Sequence, residues 1–313
     1  MSNLVADIGG THCRFALAKP GSTSISEPKS FAVADYPGVV EAARDFLGGE
    51  TVEALVFAVA GPVENGRIHF TNSGWSFSES ELREKLGVKR AQLVNDFAAQ
   101  ARAVAVLPST SLVHVGGPAN FDAKADGTIA LIGPGTGLGV GGLVREGKAS
   151  IALVGEGGHA NFAPGDDAEI AILGALMKRF GHVSRERLLS GPGLANLFEA
   201  MSDGKPAPAP EDITARAKSE PESFEAKVFA RFCAILGSAA GDVALTMGAR
   251  AGVLLAGGIL PNAVDILKVS DFRKRFEAKG RFKDYLAKIS TLLIVEPHAG
   301  LIGAANILRE EAR

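Results

Sequence analysis

The sequence predicts an α/β protein built from two similar halves with a cleft between them. Three observations predict it. Apolar strands alternate with amphipathic helices along the chain, the order of elements repeats from residue 128, and each repeat opens on a glycine-rich turn. Those turns are DIGGT (7–11) and GPGTGLG (133–139). At 313 residues the chain has room for about two domains of roughly 150 residues. An apolar fraction of 46% supports a substantial core.

The first half reads as β-β-β-α-β-α-β-α. LVADIGGTHCRFALAKPG (4–21) is a strand, a glycine turn and a second strand, and Ser30 to Ala34 is a third. PGVVEAARDFLGG (37–49) is a helix with Pro near its start and Gly after its end. ALVFAVAGP (54–62) is a buried strand. FSESELREKLG (77–87) is a helix carrying a capping box, Ser78 with Glu81, and a Gly stop. QLVND (92–96) is a strand and FAAQARAVAVL (97–107) a helix.

The second half repeats the scheme. TIALIGPGTGLGVGGLVREG (128–147) is strand, glycine turn, strand, and ASIALVG (149–155) is a third strand. A helical stretch covers 167–250, interrupted by an exposed loop at GKPAPAPED (204–212). AGVLLAGGI (251–259) and TLLIVEP (291–297) are buried strands, and AGLIGAANILREEA (299–312) is the last helix. The apolar positions of 224–249 recur at helical spacing, as in a core or dimer helix rather than a cofactor box.

Bulk properties exclude several classes. Thirty-three basic and 35 acidic residues give a net charge of −2, which removes the electrostatic case for a nucleic-acid protein. No uninterrupted apolar run reaches the roughly 18 to 20 residues of a membrane span. MSNLVADIGG has neither a basic start nor a long apolar core, so no secretory signal is expected and the cytoplasm is. Cys13 and Cys233 make no CxxC, so a cysteine zinc site is not expected, and reduced thiols are.

The glycine turns carry chemistry. Glycine lets the backbone come close to a ligand, and successive N–H groups in such a turn form an anion-binding concavity. Thr11 and Thr136 add hydroxyls. Asp7, at a strand end, suits a hydrated Mg²⁺. One such turn reads equally well as a tight hairpin; two, each opening a matching half, favour phosphate. There is no GxxxxGK[ST]. Gly137, Gly139 and Gly142 fit GxGxxG but continue into a strand instead of a helix, and no VAIK, HRD or DFG follows. The pair Gly257-Gly258 ends a strand and suits the approach of a nucleoside.

Four stretches with polar residues stand out. Asn95 and Asp96 lie between an apolar strand and a helix, where Asp96 is either a helix cap or a base at the carboxyl end of a strand. Asn95 offers a donor and an acceptor to a hydroxyl. GEGGH places Glu156 and His159 on a glycine-flanked, mobile-looking turn, as sugar ligands or a metal pair. Asn72 and Trp75 in HFTNSGW either line a cleft or form a plain turn. Glu186, between Arg185 and Arg187, reads on its own as a surface charge. His12, His69, His114, His182 and His298 have no evident partners and read as structural.

The blocks DIGGTHCR, LVNDF, GPGTGLG, GEGGHANFAP, SRERLLSGPGL and LAGGI occur in that order. Together they resemble the bacterial ATP-dependent glucokinases, of the hexokinase branch of the actin-like (ribonuclease H-like) fold, over residue 4 to about 304. The resemblance implies a small domain, 1–107 with 298–313, and a large domain, 108–297. It implies ATP and Mg²⁺, D-glucose as acceptor, and a homodimer; sugar binding is then expected to close the cleft and exclude water. By position Asp96 resembles the catalytic carboxylate, and Asn95, Glu156, His159 and Glu186 the sugar ligands. Ala6, Asp7, Ile8, Gly9, Gly10 and Thr11 resemble the first phosphate loop. Gly133, Gly135, Thr136 and Gly137 resemble the second, and Gly257 and Gly258 the adenosine site. His12 departs from the family, which often has Asn there. Two rivals are a kinase of this fold for another hexose and a sugar-responsive actin-like ATPase without kinase activity. A DNA-binding regulator would need a helix-turn-helix, usually ahead of the first phosphate loop, and none is expected here because that loop begins at Asp7.

Overall fold

A computed structural model describes residues 2–70, 74–147 and 149–311. The chain divides into two compact units, Met1–Pro108 with Glu296–Arg313 and Ser109–Val295.

The first unit holds β1 (Ser2–Ile8), β2 (His12–Ala18), β3 (Lys29–Ala32), α1 (Val39–Leu47), β4 (Val52–Val59), β5 (Arg67–His69), β6 (Ser76–Ser78), α2 (Glu79–Leu86), β7 (Arg90–Asn95) and α3 (Asp96–Val104). Its five-stranded sheet runs β3-β2-β1-β4-β7, antiparallel through the first three strands and parallel from β1 onward. β5 and β6 form a separate hairpin that the sequence did not announce. The period-2 alternation of β1 sorts its side chains. Leu4, Ala6 and Ile8 pack with Val39, Val40 and Leu82 on the side of α1 and α2. Val5 packs with residues of the C-terminal helix on the opposite face. α2 starts on the expected capping box: Ser78 accepts from the Glu81 N–H, and the Glu81 carboxylate accepts from the Ser78 N–H at 2.7 Å.

The second unit holds β8 (Leu112–Gly116), β9 (Gly127–Pro134), β10 (Leu138–Glu146), β11 (Ala149–Gly155), α4 (Asp167–Phe180), α5 (Gly191–Met201), α6 (Pro210–Ser219), α7 (Phe224–Met247), β12 (Gly252–Leu255), α8 (Val264–Val269), α9 (Phe272–Glu277), α10 (Lys283–Ala287) and β13 (Thr291–Ile294). Its sheet runs β11-β10-β9-β12-β13-β8. β9, β10 and β11 form an antiparallel meander, and β12 and β13 continue parallel to β9, as β4 and β7 continue from β1. The sixth strand, β8, is antiparallel to β13 and lies outside the expected scheme. The expected loop at 204–212 is shorter than read, because Pro210 opens α6. α7, although charged residues such as Arg231 and Asp242 interrupt its apolar run, is long and apolar enough to cross a membrane by length and composition alone. Its apolar residues, Phe229, Phe232, Ile235 and Leu236 among them, are packed in the core of this unit.

The last helix, α11 (Ala299–Glu311), belongs to the first unit and crosses α3 closely. A Cβ on Gly303 would lie 1.7 Å from the Ala99 carbonyl oxygen, so only glycine permits this approach. Both cysteines are free and buried.

Candidate active site

In the first unit, β1, β4 and β7 end together. Ile8 stands opposite Val59, and Val59 opposite Asn95. At roughly 4.8 Å per strand, the first glycine turn and the Asn95-Asp96 pair are about 10 Å apart at one sheet edge. In open α/β sheets that edge is where ligands bind. The turn is closed by the Gly9 N–H donating to the His12 carbonyl at 2.9 Å. His12 Nδ1 lies 3.2 Å from Thr11 Oγ1, so it has a partner within the turn.

Asn95, not Asp96, caps α3. Its Oδ1 accepts from the Phe97 and Ala98 N–H groups at 3.0 and 3.2 Å. Its Nδ2 donates to the Gly61 carbonyl at 3.4 Å. The amide oxygen is therefore committed, and the side chain has mainly a donor left to offer a hydroxyl, half of what the sequence suggested. Asp96 is the first residue of α3, and its Oδ1 accepts from the Phe97 N–H at 2.9 Å.

Asp7 lies on the α11 face of β1. Arg14 Nη1 is 3.8 Å from its Oδ2, and Gly300 lies against its carboxyl group. Burial pushes the Asp7 carboxyl above the usual range, while the charges of Arg14 and His298 pull it back. Among the described residues no three His, Cys, Asp or Glu side chains converge on a metal position. A single carboxylate beside a phosphate-type turn fits a Mg²⁺ that arrives on a nucleotide and keeps its waters. It does not fit an all-protein cage.

In the second unit, three sequence-predicted residues meet. Glu156 precedes a 3-10 turn, Gly157–His159, and Glu186 lies on another, Arg185–Arg187. His159 Nε2 is 4.0 Å from Glu156 Oε2, and its Nδ1 is 4.0 Å from Glu186 Oε1. The side chains of Glu156 and His159 are 58% and 61% exposed and that of Glu186 only 31%, so the first two are open to a solute and the third is built in. The Gly157–His159 turn is not loose. A Cβ on Gly158 would lie 2.0 Å from the Leu138 carbonyl oxygen, so this glycine serves close packing on β10 rather than mobility.

The second glycine turn adjoins this trio. Glu186 Oε2 accepts from the Leu138 N–H at 2.9 Å, so Glu186 is no mere surface charge. The turn is braced by Gly135 N–H to Gly137 O and by Gly191 N–H to Gly135 O, each 2.8 Å. Gly257, with φ +84°, sits against the Pro134 carbonyl, where a Cβ would be 2.2 Å away. Gly133 to Gly137 and Gly257-Gly258 are thus brought together. Asn72 lies outside the described residues. Trp75 is buried and donates from Nε1 to the Tyr36 carbonyl at 3.2 Å. His69, His114 and His182 have hydrogen-bond partners in Ser76, the Gly117 carbonyl and the His159 carbonyl.

Two backbone groups escaped sequence reasoning, the Gly61 carbonyl and the Leu138 N–H. Main-chain groups leave no residue-type signal, and Leu138 lies 48 positions from the carboxylate it binds.

The glucokinase family model matches residues 4–311. A glucokinase of Caulobacter sp. strain K31 is 44% identical over 99% of this chain and 96% of its own length. The crystal structure of a glucokinase from an Antarctic psychrotroph superposes with a TM-score of 0.86 at 36% identity, covering 99% of each chain. A ROK-family glucokinase from Streptomyces griseus, solved with glucose and AMPPNP, shares the fold at 18% identity, with a TM-score of 0.66 over 99% of this chain and 100% of that one. The two α/β units are those of the actin-like, ribonuclease H-like fold.

Proposed function

The chain belongs to the glucokinase family, and from that membership we propose how its residues transfer the ATP γ-phosphate to the 6-hydroxyl of D-glucose. It is an ATP-dependent hexose kinase, placed here in the hexokinase branch of the fold. The observation that carries the assignment of roles is the meeting of Glu156, His159 and Glu186 beside a glycine turn of phosphate-binding form. Sugar hydroxyls suit carboxylates and an imidazole, and the adjoining turn offers backbone N–H groups to phosphate.

Asp96 is the base. It accepts the 6-hydroxyl proton as the oxygen bonds to the γ-phosphorus and the bridging oxygen leaves with ADP. Asn95 donates its remaining amide proton to a sugar hydroxyl. Glu156, His159 and Glu186 orient the ring, and Asn72 adds a further polar group. Ala6 to Thr11 and Gly133 to Gly137 cradle the phosphates, and Gly257-Gly258 leaves room for adenosine. Asp7 would hold Mg²⁺, which would supply charge neutralisation on the phosphates. A second copy of the chain is the expected partner. The cytoplasm is the expected compartment, and the net charge of −2 argues against nucleic acid as a ligand.

Asp96→Asn separates binding from chemistry. Turnover should fall by about 10²- to 10⁴-fold or more, while calorimetry finds glucose affinity near that of the parent protein. Turnover within a few-fold of the parent would remove Asp96 from the role of base.

A further inference from the structure

We propose that Glu186 is a positioning residue that couples the acceptor site to the donor phosphate loop through Leu138. The proposal rests on the glucokinase reading and goes beyond it. A sugar ligand needs only to face the sugar. The Glu186 carboxylate instead divides its oxygens, with Oε1 toward His159 at 4.0 Å and Oε2 on the Leu138 N–H at 2.9 Å. Leu138 begins β10, at the end of the second glycine turn. Its carbonyl is the surface on which Gly158 of the GEGGH turn packs. One residue of the phosphate hairpin thus touches both segments that carry the sugar trio.

The segment bearing Glu186 is fixed. Arg185 reaches Asp242 on α7 at 3.4 Å, and Lys279 holds the same carboxylate at 2.6 Å. The Arg187 guanidinium lies 4.2 Å from the Phe180 ring centre. Ser190 Oγ donates to the Glu186 carbonyl at 2.8 Å, and the Arg185 N–H donates to the Ala160 carbonyl at 2.9 Å. With its backbone anchored at these points, the carboxylate has little freedom to follow the hairpin. Displacement of the hairpin tip must strain or break the Leu138 bond and so redirect Oε1. Binding at either site then biases the other by the same factor.

Gly137 gives access to this link from the nucleotide side. A Cβ there would lie 2.5 Å from Glu186 Oε2, yet Gly137 has no assigned sugar contact. The test is calorimetric titration of glucose into the full chain, without nucleotide and with saturating MgAMPPNP. The parent should bind glucose at least about 5-fold more tightly with the analogue present. Gly137→Ala should weaken glucose binding in the absence of any nucleotide and bring that ratio towards one. Unchanged glucose affinity and an unchanged ratio would overturn the coupling. Should Gly137→Ala fail to fold, Glu186→Gln and Glu186→Ala decide. The Gln carbonyl can still accept from Leu138, so MgAMPPNP affinity of the sugar-free protein should hold in Gln and fall in Ala. Equal affinity in the two variants would overturn the proposal. A parent protein that binds no glucose would overturn the glucokinase reading itself, and the coupling with it.

Discussion

Asn95 shows how one side chain serves two purposes. Its oxygen caps α3, and its nitrogen remains as a donor. Asn95→Ala should cost about 1 kcal/mol of stability, and Asn95→Ser, a good cap, should restore most of it. Glucose affinity should fall in both, so urea melts and sugar titrations will separate the two contributions. Recovery of affinity with Ser would deny the amide its role. The pair was legible because a strand, two polar residues and a helix follow one another without interruption. Which of the two caps was not legible, since Asn and Asp cap comparably. Glu186 was legible only through resemblance, because its partner is a distant main-chain N–H. The thiols give a simpler check. Burial pushes Cys13 up to about 11 and Cys233 up to about 12. Neither should react with Ellman's reagent at pH 8 until the chain unfolds, and stoichiometric labelling of the native protein would contradict that.

At the level of elements, α3 owes its position to its crossing with α11. Gly303→Ala forces a Cβ into the Ala99 carbonyl, and overpacking of this kind costs about 1–3 kcal/mol. Because α3 begins at Asp96, the same change should lower kcat more than it weakens glucose binding. A different device anchors α4. Asp166 accepts from the Glu169 N–H at its N-terminus, and Asp166 and the fully buried Glu169 both pair with Arg231 and Arg275. Burial raises the Asp166 carboxyl, but the Glu169 N–H and the two guanidiniums outweigh it, so its pKa is lowered. A lowered folded-state pKa gives stability that is present above the ordinary Asp value, about 3.9, and is lost as pH falls through the folded value. The melting-temperature gap between the parent and Asp166→Asn should therefore be widest near neutrality and close on acidification below about pH 4. A gap independent of pH would show that charge is not its source. Elements with strong end signals, such as α2 with its capping box, were legible. The hairpin of β5 and β6, the strand β8 and the helices α8 to α10 were not. Each has at most six residues, too few for a period to stand out. The Pro-rich stretch before α6 hid a helix start, since Pro at the first helical position looks the same as Pro in a loop.

Across the whole molecule, the two sheets repeat one plan. Each is a three-stranded meander followed by two parallel strands, with β8 added at the far edge of the second, and each opens on a glycine turn. The repeat was legible in the order of elements although the halves share little residue identity, because burial pattern survives substitutions that identity does not. The plan explains why glycine turns of phosphate-binding form occur twice, and the residues proposed around them are those expected to set a sugar kinase apart from a generic ATPase. Acceptor choice is the central claim. The most direct measurement is ADP release from MgATP by the full chain, over a panel of hexoses, with acetate and a blank without acceptor. Strong release with glucose and little with the others is the predicted result. Preference for another hexose would keep the fold and the roles of Asp96 and the loops but contradict the acceptor. Release that does not depend on acceptor would contradict the kinase itself.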